Sequence, residues 1–329
     1  MNGIYVTETV LVNEIMKGGE MNMNQVRQSP TGILGFPVAP MDQHGKLDEK
    51  ALEANIQFLI KEGLSSIFIA CGSGEFHALS HRDYKSMVEV AVATAKGKVP
   101  VYTGVGGNIS HALELTELSA ELGVDGYLIL PPYLIEPEQE GLYQYLNAII
   151  QSTDLNAIVY QRDNCVCSLE TLQRLLESPQ LVGLKDGLGN MDLNIEMTQT
   201  IGKRLEWLNG MPMAEVTMPA YVNLGFRTYS SAISNYIPHI SALFFDALLS
   251  HNDDLLHELY EHVILPINKI RKQRKGYAVA LIKAGMEIVG HPVGTTVRAP
   301  IIQVEKDHYD KLAQIIQVAF EKFPKAAKS

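Results

Sequence analysis

The sequence predicts an α/β chain folded as a (β/α)8 barrel with a C-terminal helical appendix, and three observations carry that expectation. From Gly32 the chain repeats one unit eight times: a short apolar run, a loop and a longer amphipathic segment. The loops between runs are short, as barrel connections are. The length of 329 residues suits one large barrel, and no linker marks an independent second domain. A doubly wound open sheet is the competing architecture, because periodicity does not set strand order.

The units follow in order. Ile33–Phe36 reads as a strand, the loop 37–45 follows, and Leu47–Glu62 reads as a helix. Ser66–Cys71 leads through Gly72-Ser73-Gly74-Glu75 to a helix at Ser80–Ala95. Val99–Gly104 pairs with Ala112–Leu122, Gly126–Leu130 with Pro137–Gln151, and Ala157–Tyr160 with Ser168–Glu177. Leu181–Lys185 precedes Leu193–Ile201, Leu205–Gly210 precedes Glu215–Leu224, and Thr228–Ala232 precedes Ile240–Ser250. The barrel is thus expected over 30–250. Helical patterns at Asp254–Arg274, Tyr277–Val289 and His308–Phe323 place a helical region packed on it over 251–329.

Composition removes several classes. The net charge of -10 argues against a nucleic-acid surface. The one basic cluster, Lys269–Lys275, reads as a solvated helix end in preference to a polyanion site. Three cysteines make no disulfide framework, and neither they nor the scattered histidines have metal-ligand spacing, so no metal is expected. No apolar run reaches membrane-spanning length, and the expected location is the cytoplasm.

In a barrel of this kind the reactive groups gather at the C-terminal strand ends. Lys185 closes the apolar run Leu181–Leu184, where an ammonium costs desolvation unless it is paired or loses its proton. A neutral lysine attacks carbonyls and forms a Schiff base; a lysine snorkelling to the surface is the alternative. Tyr160 ends the adjacent strand as a candidate proton shuttle, or as a core phenol with its hydroxyl satisfied. Gly72, Ser73 and Gly74 are candidates for holding an anion by backbone N–H groups and one hydroxyl, or form a plain turn. Arg162 either pairs with Asp163 or binds a second carboxylate. Ser230 and Ser231 end strand eight and add hydroxyls, whereas Glu75 braces its loop.

Phe36-Pro37-Val38-Ala39-Pro40, Gly72-Ser73-Gly74-Glu75, Tyr160 and Gly183-Leu184-Lys185-Asp186, in that order and spacing, resemble the dihydrodipicolinate synthase/N-acetylneuraminate lyase family of class I aldolases. The likeness runs from about Gly32 to Pro300. Tyr160–Asn164, Ala214-Glu215-Val216, Tyr229–Ala232 and Pro292–Pro300 are most similar to family members that dehydrate and decarboxylate a keto-deoxy sugar diacid. The resemblance implies a Schiff-base lysine at Lys185, a catalytic tyrosine at Tyr160, and no cofactor beyond the covalent imine. It also implies a small diacid substrate and a homo-oligomer, a tetramer built from dimers. A retro-aldol lyase, a synthase-like enzyme on a related 2-keto acid and a non-catalytic keto-acid-binding barrel are the alternatives. The chain departs from the synthases in two places. Cys71–Glu75 keeps a hydroxyl only at the second threonine position of Gly-Thr-Thr-Gly-Glu. Leu134 stands where the synthases donate a tyrosine across the dimer interface, which removes that relay.

The segment 1–29 is polar and lacks sustained periodicity. Lys17-Gly18-Gly19-Glu20 lies just before Met21, and one codon choice for it spells a purine-rich ribosome-binding sequence. Translation is therefore expected to start at Met21 or Met23. Intact mass of the protein from its native host checks this; a mass that includes 1–20 contradicts it.

Overall fold

The computed structural model describes residues 27–325, so the expected start at Met21 or Met23 and most of the 1–29 segment lie outside the described residues. Eight parallel strands run in the order β1-β8-β7-β6-β5-β4-β3-β2: β1 Ile33–Leu34, β2 Ile67–Ile69, β3 Val101–Gly107, β4 Gly126–Pro132, β5 Asn156–Gln161, β6 Leu181–Asp186, β7 Glu206–Asn209 and β8 Thr228–Ser230. The seam between β1 and β2 closes through Gly35, whose N–H donates to Ser66 O (2.9 Å) and whose carbonyl accepts from Phe68 N (2.7 Å). A Cβ on Gly35 would lie 2.7 Å from Ser66 O, so the closure needs glycine. The doubly wound alternative is thereby excluded.

Between the strands lie α1 Glu49–Lys61, α2 His81–Ala95, α3 Ile109–Glu121, α4 Gln139–Gln151, α5 Leu169–Leu175, α6 Met191–Ile201 and α7 Ala214–Val222, and α8 Pro238–Leu249 follows the last strand. Several begin with a side chain that satisfies the open N–H groups of the first turn. Asp48 accepts from Ala51 N, Asn108 from His111 N and Ser168 from Thr171 N; Ser80 and Asp83 form a full capping box. The apolar residues form two layers. Leu34, Phe36, Phe68, Tyr102, Leu128, Ile158, Tyr160, Val182 and Leu208 fill the barrel, and a larger shell joins the outer strand faces to the helices.

The pattern at Asp254–Arg274 reads as one helix, but the chain forms α9 Asp253–Leu259, a π-helical turn at Tyr260–Ile264 and α10 Leu265–Arg271. Pro266 accounts for the interruption, because it has no N–H to offer and its ring crowds the preceding turn. Beyond it, α11 Tyr277–Ile288 and α12 Lys306–Lys322 contribute Tyr277, Leu281, Ala284, Leu312 and Ile316 to the same outer core. Among the described residues no helix is long and apolar enough to cross a membrane.

One ion pair anchors this C-terminal region to the barrel. Lys283 and Glu75 are both fully buried and meet at 2.5 Å. Lys283 Nζ also donates to Thr296 O (2.6 Å), and the second Glu75 oxygen accepts the Arg298 N–H (2.8 Å). Arg298 then reaches Asp83 Oδ2 (2.6 Å), Ala78 O (2.9 Å) and Gly45 O (2.7 Å). The loop after β2 is thus held from behind by the C-terminal segment. Removing one partner of a buried pair strands the other charge. Lys283→Met is expected to cost about 3–5 kcal/mol in denaturant unfolding, and more than the double change Lys283→Met/Glu75→Gln. A single variant no less stable than the double contradicts this account.

Candidate active site

Strands β5 and β6 place two side chains next to each other, because their register pairs Tyr160 with Lys185. Both point into the barrel and are buried. The Lys185 amine sits 4.0 Å from the Phe36 ring centre and 4.4 Å from that of Tyr160. Phe36 stacks on Phe68 at 4.6 Å, and Phe68 on Tyr102 at 4.9 Å, so the floor under the amine is a rigid aromatic pile. Among the described residues no carboxylate pairs with Lys185. Burial, with the positive charge of Arg162 adding to it, lowers its pKa from 10.5 to about 7. The cation–π contacts favour the ammonium, but each is worth only about 0.5–2 kcal/mol, less than the burial of a charge costs. A substantial fraction of the amine is therefore available as a nucleophile near neutral pH.

Tyr160 donates its hydroxyl to Gly210 O (3.0 Å) and accepts from Arg162 Nη1 (3.2 Å). Burial pushes the phenol up, so it stays protonated, while Arg162 works in the opposite direction. The phenol is thus a proton donor whose conjugate base has a guanidinium beside it. Arg162 also contacts Asp163 (3.3 Å), which is the pairing that one of its two sequence readings expected. The turn that carries it is pinned by the Arg162–Cys165 backbone pair and by Asn164, whose amide donates to Pro132 O (2.9 Å).

Two glycines make room. At Gly210 a Cβ would lie 2.6 Å from Lys185 Cε, and at Gly187 it would lie 2.8 Å from the Tyr160 ring. Asp186 holds the turn after β6: its carboxylate accepts from Leu188 N (2.9 Å), Gly189 N (3.2 Å), Asn194 Nδ2 (2.7 Å) and Tyr221 OH (2.5 Å). This fixes the strand end from which Lys185 projects.

These groups open into a cavity of about 1170 Å³. Gly72, Ser73, Tyr160, Arg162, Lys185, Ser230 and Ser231 all line it, whereas Gly74 lies just behind, packed against Ala70. The Ser73 N–H and the hydroxyls of Ser73 and Ser230 have no partner among the described residues, which leaves them open to an anion. Ser231 differs. Its hydroxyl donates to Glu215 (2.5 Å) and accepts from Ser234 N (3.1 Å) and Ser241 (2.8 Å), so it offers the cavity wall without a free hydroxyl. Glu75 faces away, toward Lys283. Leu134 is on the rim and 81% exposed, beside the exposed Tyr133 and Ile135.

The basic run expected as a solvated helix end does end a helix, with Lys272, Arg274 and Lys275 exposed. It also reaches the cavity: Arg271, Lys272, Arg274 and Lys275 form part of its rim. The sequence pattern placed these residues at the end of a helix but not over the barrel mouth, which depends on how the C-terminal helices pack. Phe36 and Gly210 were visible only as a strand end and a post-strand glycine. The signal that could have raised them is position, since both follow barrel strands at the level of Lys185. Among the described residues no group of three or more His, Cys, Asp or Glu side chains converges as metal ligands would.

Fold and site together define a barrel lyase built around a buried lysine. The chain matches the model of the dihydrodipicolinate synthetase family over residues 29–319 and belongs to that family. It is 67% identical over 305 residues to the "Probable 5-dehydro-4-deoxyglucarate dehydratase" of Bacillus subtilis (strain 168), covering 93% of this chain and 99% of that one. A protein of the same name from Oceanobacillus iheyensis is 60% identical over 299 residues, 91% of this chain and 97% of that one. Dihydrodipicolinate synthase from Oceanobacillus iheyensis shares the fold, with a TM-score of 0.81 at 23% identity over 88% of this chain and 96% of that one.

Proposed function

We propose that this chain is a decarboxylating dehydratase that converts 5-dehydro-4-deoxyglucarate to 2,5-dioxopentanoate, carbon dioxide and water. The observation that carries the reading is the unpaired Lys185 amine, buried on Phe36 and Tyr160 with its pKa lowered to about 7. The high identity to relatives named for this dehydratase supplies the substrate class.

In this reading Lys185 attacks the ketone beside the first carboxylate and forms a protonated imine, which serves as the electron sink. Gly72, Ser73 and Ser230 hold that carboxylate through groups left open at the cavity, with Gly74 supporting their loop from behind and Ser231 forming part of the wall. As the imine forms, Tyr160 gives its proton to the departing carbinolamine oxygen, which leaves as water. The Arg162 guanidinium steadies the resulting phenolate, and that phenolate, or a water it holds, then takes a proton from the adjacent CH2. The enamine expels the β-hydroxyl as water, leaving a conjugated iminium. That extended sink accepts the electrons of the distal C–CO2 bond, so carbon dioxide leaves without a further cofactor. Arg162 grips the distal carboxylate until then. Leu134 cannot relay protons, which leaves Tyr160 and its immediate partners to manage them. We further propose that the chain works in the cytoplasm as a homo-oligomer; the exposed apolar run Tyr133-Leu134-Ile135 supports a covered surface beside the cavity.

The test is carbon dioxide release from 5-dehydro-4-deoxyglucarate together with borohydride trapping. Wild type is expected to release carbon dioxide and to gain substrate-derived mass at Lys185; Lys185→Ala should lose both. Arg162→Ala is expected to raise KM for the diacid by roughly 10-fold or more, the worth of a charge-assisted hydrogen bond. Pyruvate as the product would select the retro-aldol lyase, and an unchanged KM in Arg162→Ala would remove that residue from carboxylate binding.

A further inference from the structure

The cavity mouth carries a charge imbalance that the chemistry above does not use. Arg271, Lys272, Arg274 and Lys275 line one side of it, at the end of α10 and in the turn that leads to α11. Arg162 and Lys185 lie deeper, and among the described residues Asp163 is the single carboxylate on the wall. The molecule as a whole has a net charge of -10, so the positive mouth is a local feature set against a repulsive background for anions. A cleft with low-dielectric walls and one sign of charge focuses its field and raises the local concentration of the opposite charge.

The partners of these cations decide which of them are open to a ligand. Arg274 is engaged by Glu305 at 2.8 Å. Arg271 is half-buried, and its Nε donates to Asn268 Oδ1 at 3.0 Å. No carboxylate pairs with it among the described residues, and burial lowers its pKa, as expected for a guanidinium with no anion beside it. Its terminal nitrogens have no hydrogen-bond partner among the described residues either. Lys272 and Lys275 are exposed and likewise unpaired among the described residues. A half-buried guanidinium facing a cavity has lost part of its hydration, and an incoming carboxylate would restore that interaction as charge-assisted hydrogen bonds.

We propose that Arg271, Lys272 and Lys275 form an outer carboxylate station at the cavity mouth, which captures a dicarboxylate substrate before its keto end reaches Lys185. The station rests on the dicarboxylate reading of the site given above, and it adds a step and a selectivity to it. A ligand of charge −2 feels the rim's potential twice as strongly as a monocarboxylate, so capture favours diacids over monoacids before any inner contact forms. Because the step precedes chemistry, it acts on kcat/KM more than on kcat, and added salt weakens it once the screening length falls below about 10 Å.

The experiment compares wild type with Arg271→Gln/Lys272→Gln/Lys275→Gln, measuring carbon dioxide release from 5-dehydro-4-deoxyglucarate between about 0.02 and 0.5 M ionic strength. Pyruvate, trapped on Lys185 by borohydride, serves as the monocarboxylate probe. The surface-only variant Lys272→Gln/Lys275→Gln keeps the test valid if the loss of Arg271 perturbs the helix. At low salt, kcat/KM for the diacid is expected to fall roughly 10-fold in the triple variant and less in the double, with kcat changed under 2-fold. The salt dependence should flatten, and pyruvate trapping should slow roughly 3-fold or less. Wild-type kcat/KM and salt slope retained in both variants would overturn the outer station and leave the dehydratase reading standing, as would equal losses for the two probes. No carbon dioxide from wild type would overturn the dehydratase reading and this inference with it.

Discussion

The structure depends on one constraint: an amine is held inside a barrel, on two aromatic rings, with no carboxylate among the described residues to pair with it. Lys185 projects from the end of β6 over Phe36 and against Tyr160, and burial makes its charged form expensive. The consequence has a sign. The unfolded chain holds the lysine proton up to about the ordinary value of 10.5, whereas the folded chain releases it near about 7. The unfolded state therefore binds more protons across that window, and this site's contribution to stability improves as pH rises through it and is lost as pH falls back. Below about 7 the fold carries the full penalty of a buried ammonium. Reactivity at neutral pH and this cost to stability have the same origin.

Much of the surrounding structure makes that placement possible. Gly210 and Gly187 leave the volume that the lysine stem and the Tyr160 ring occupy. Asp186, with four donors on its carboxylate, locks the turn from which the lysine emerges. The Phe36–Phe68–Tyr102 stack prevents the floor from relaxing away from the amine. Farther out, the buried Lys283–Glu75 pair ties the loop Gly72–Gly74 to the C-terminal helices. The two buried lysines contrast: Lys283 has a carboxylate in contact and serves the fold, whereas Lys185 has none and is left reactive.

The barrel was legible in the sequence because strand and helix periods alternate without interruption, and Lys185 stood out as a cation closing an apolar run. Tyr160 could be placed beside it because strands five and six are consecutive and parallel. What was not legible is whatever depends on distant packing. The hydroxyl of Ser231 turns to Glu215 and Ser241, and nothing in Ser230-Ser231 distinguishes the open hydroxyl from the committed one. The π-helical turn before Pro266 bends a stretch that reads as one helix. The basic residues 271–275 look like any solvated helix end until the C-terminal helices are folded over the barrel mouth.

The central claim is that burial without a counter-charge lowers the Lys185 pKa to about 7, so that a substantial fraction of the amine is neutral at physiological pH. The direct measurement is an NMR pH titration of protein carrying 13C-labelled lysine Cε, with the Lys185 resonance assigned by its loss in Lys185→Met. The account predicts that this resonance titrates at about 7. A midpoint near 10.5, the ordinary lysine value, would contradict it.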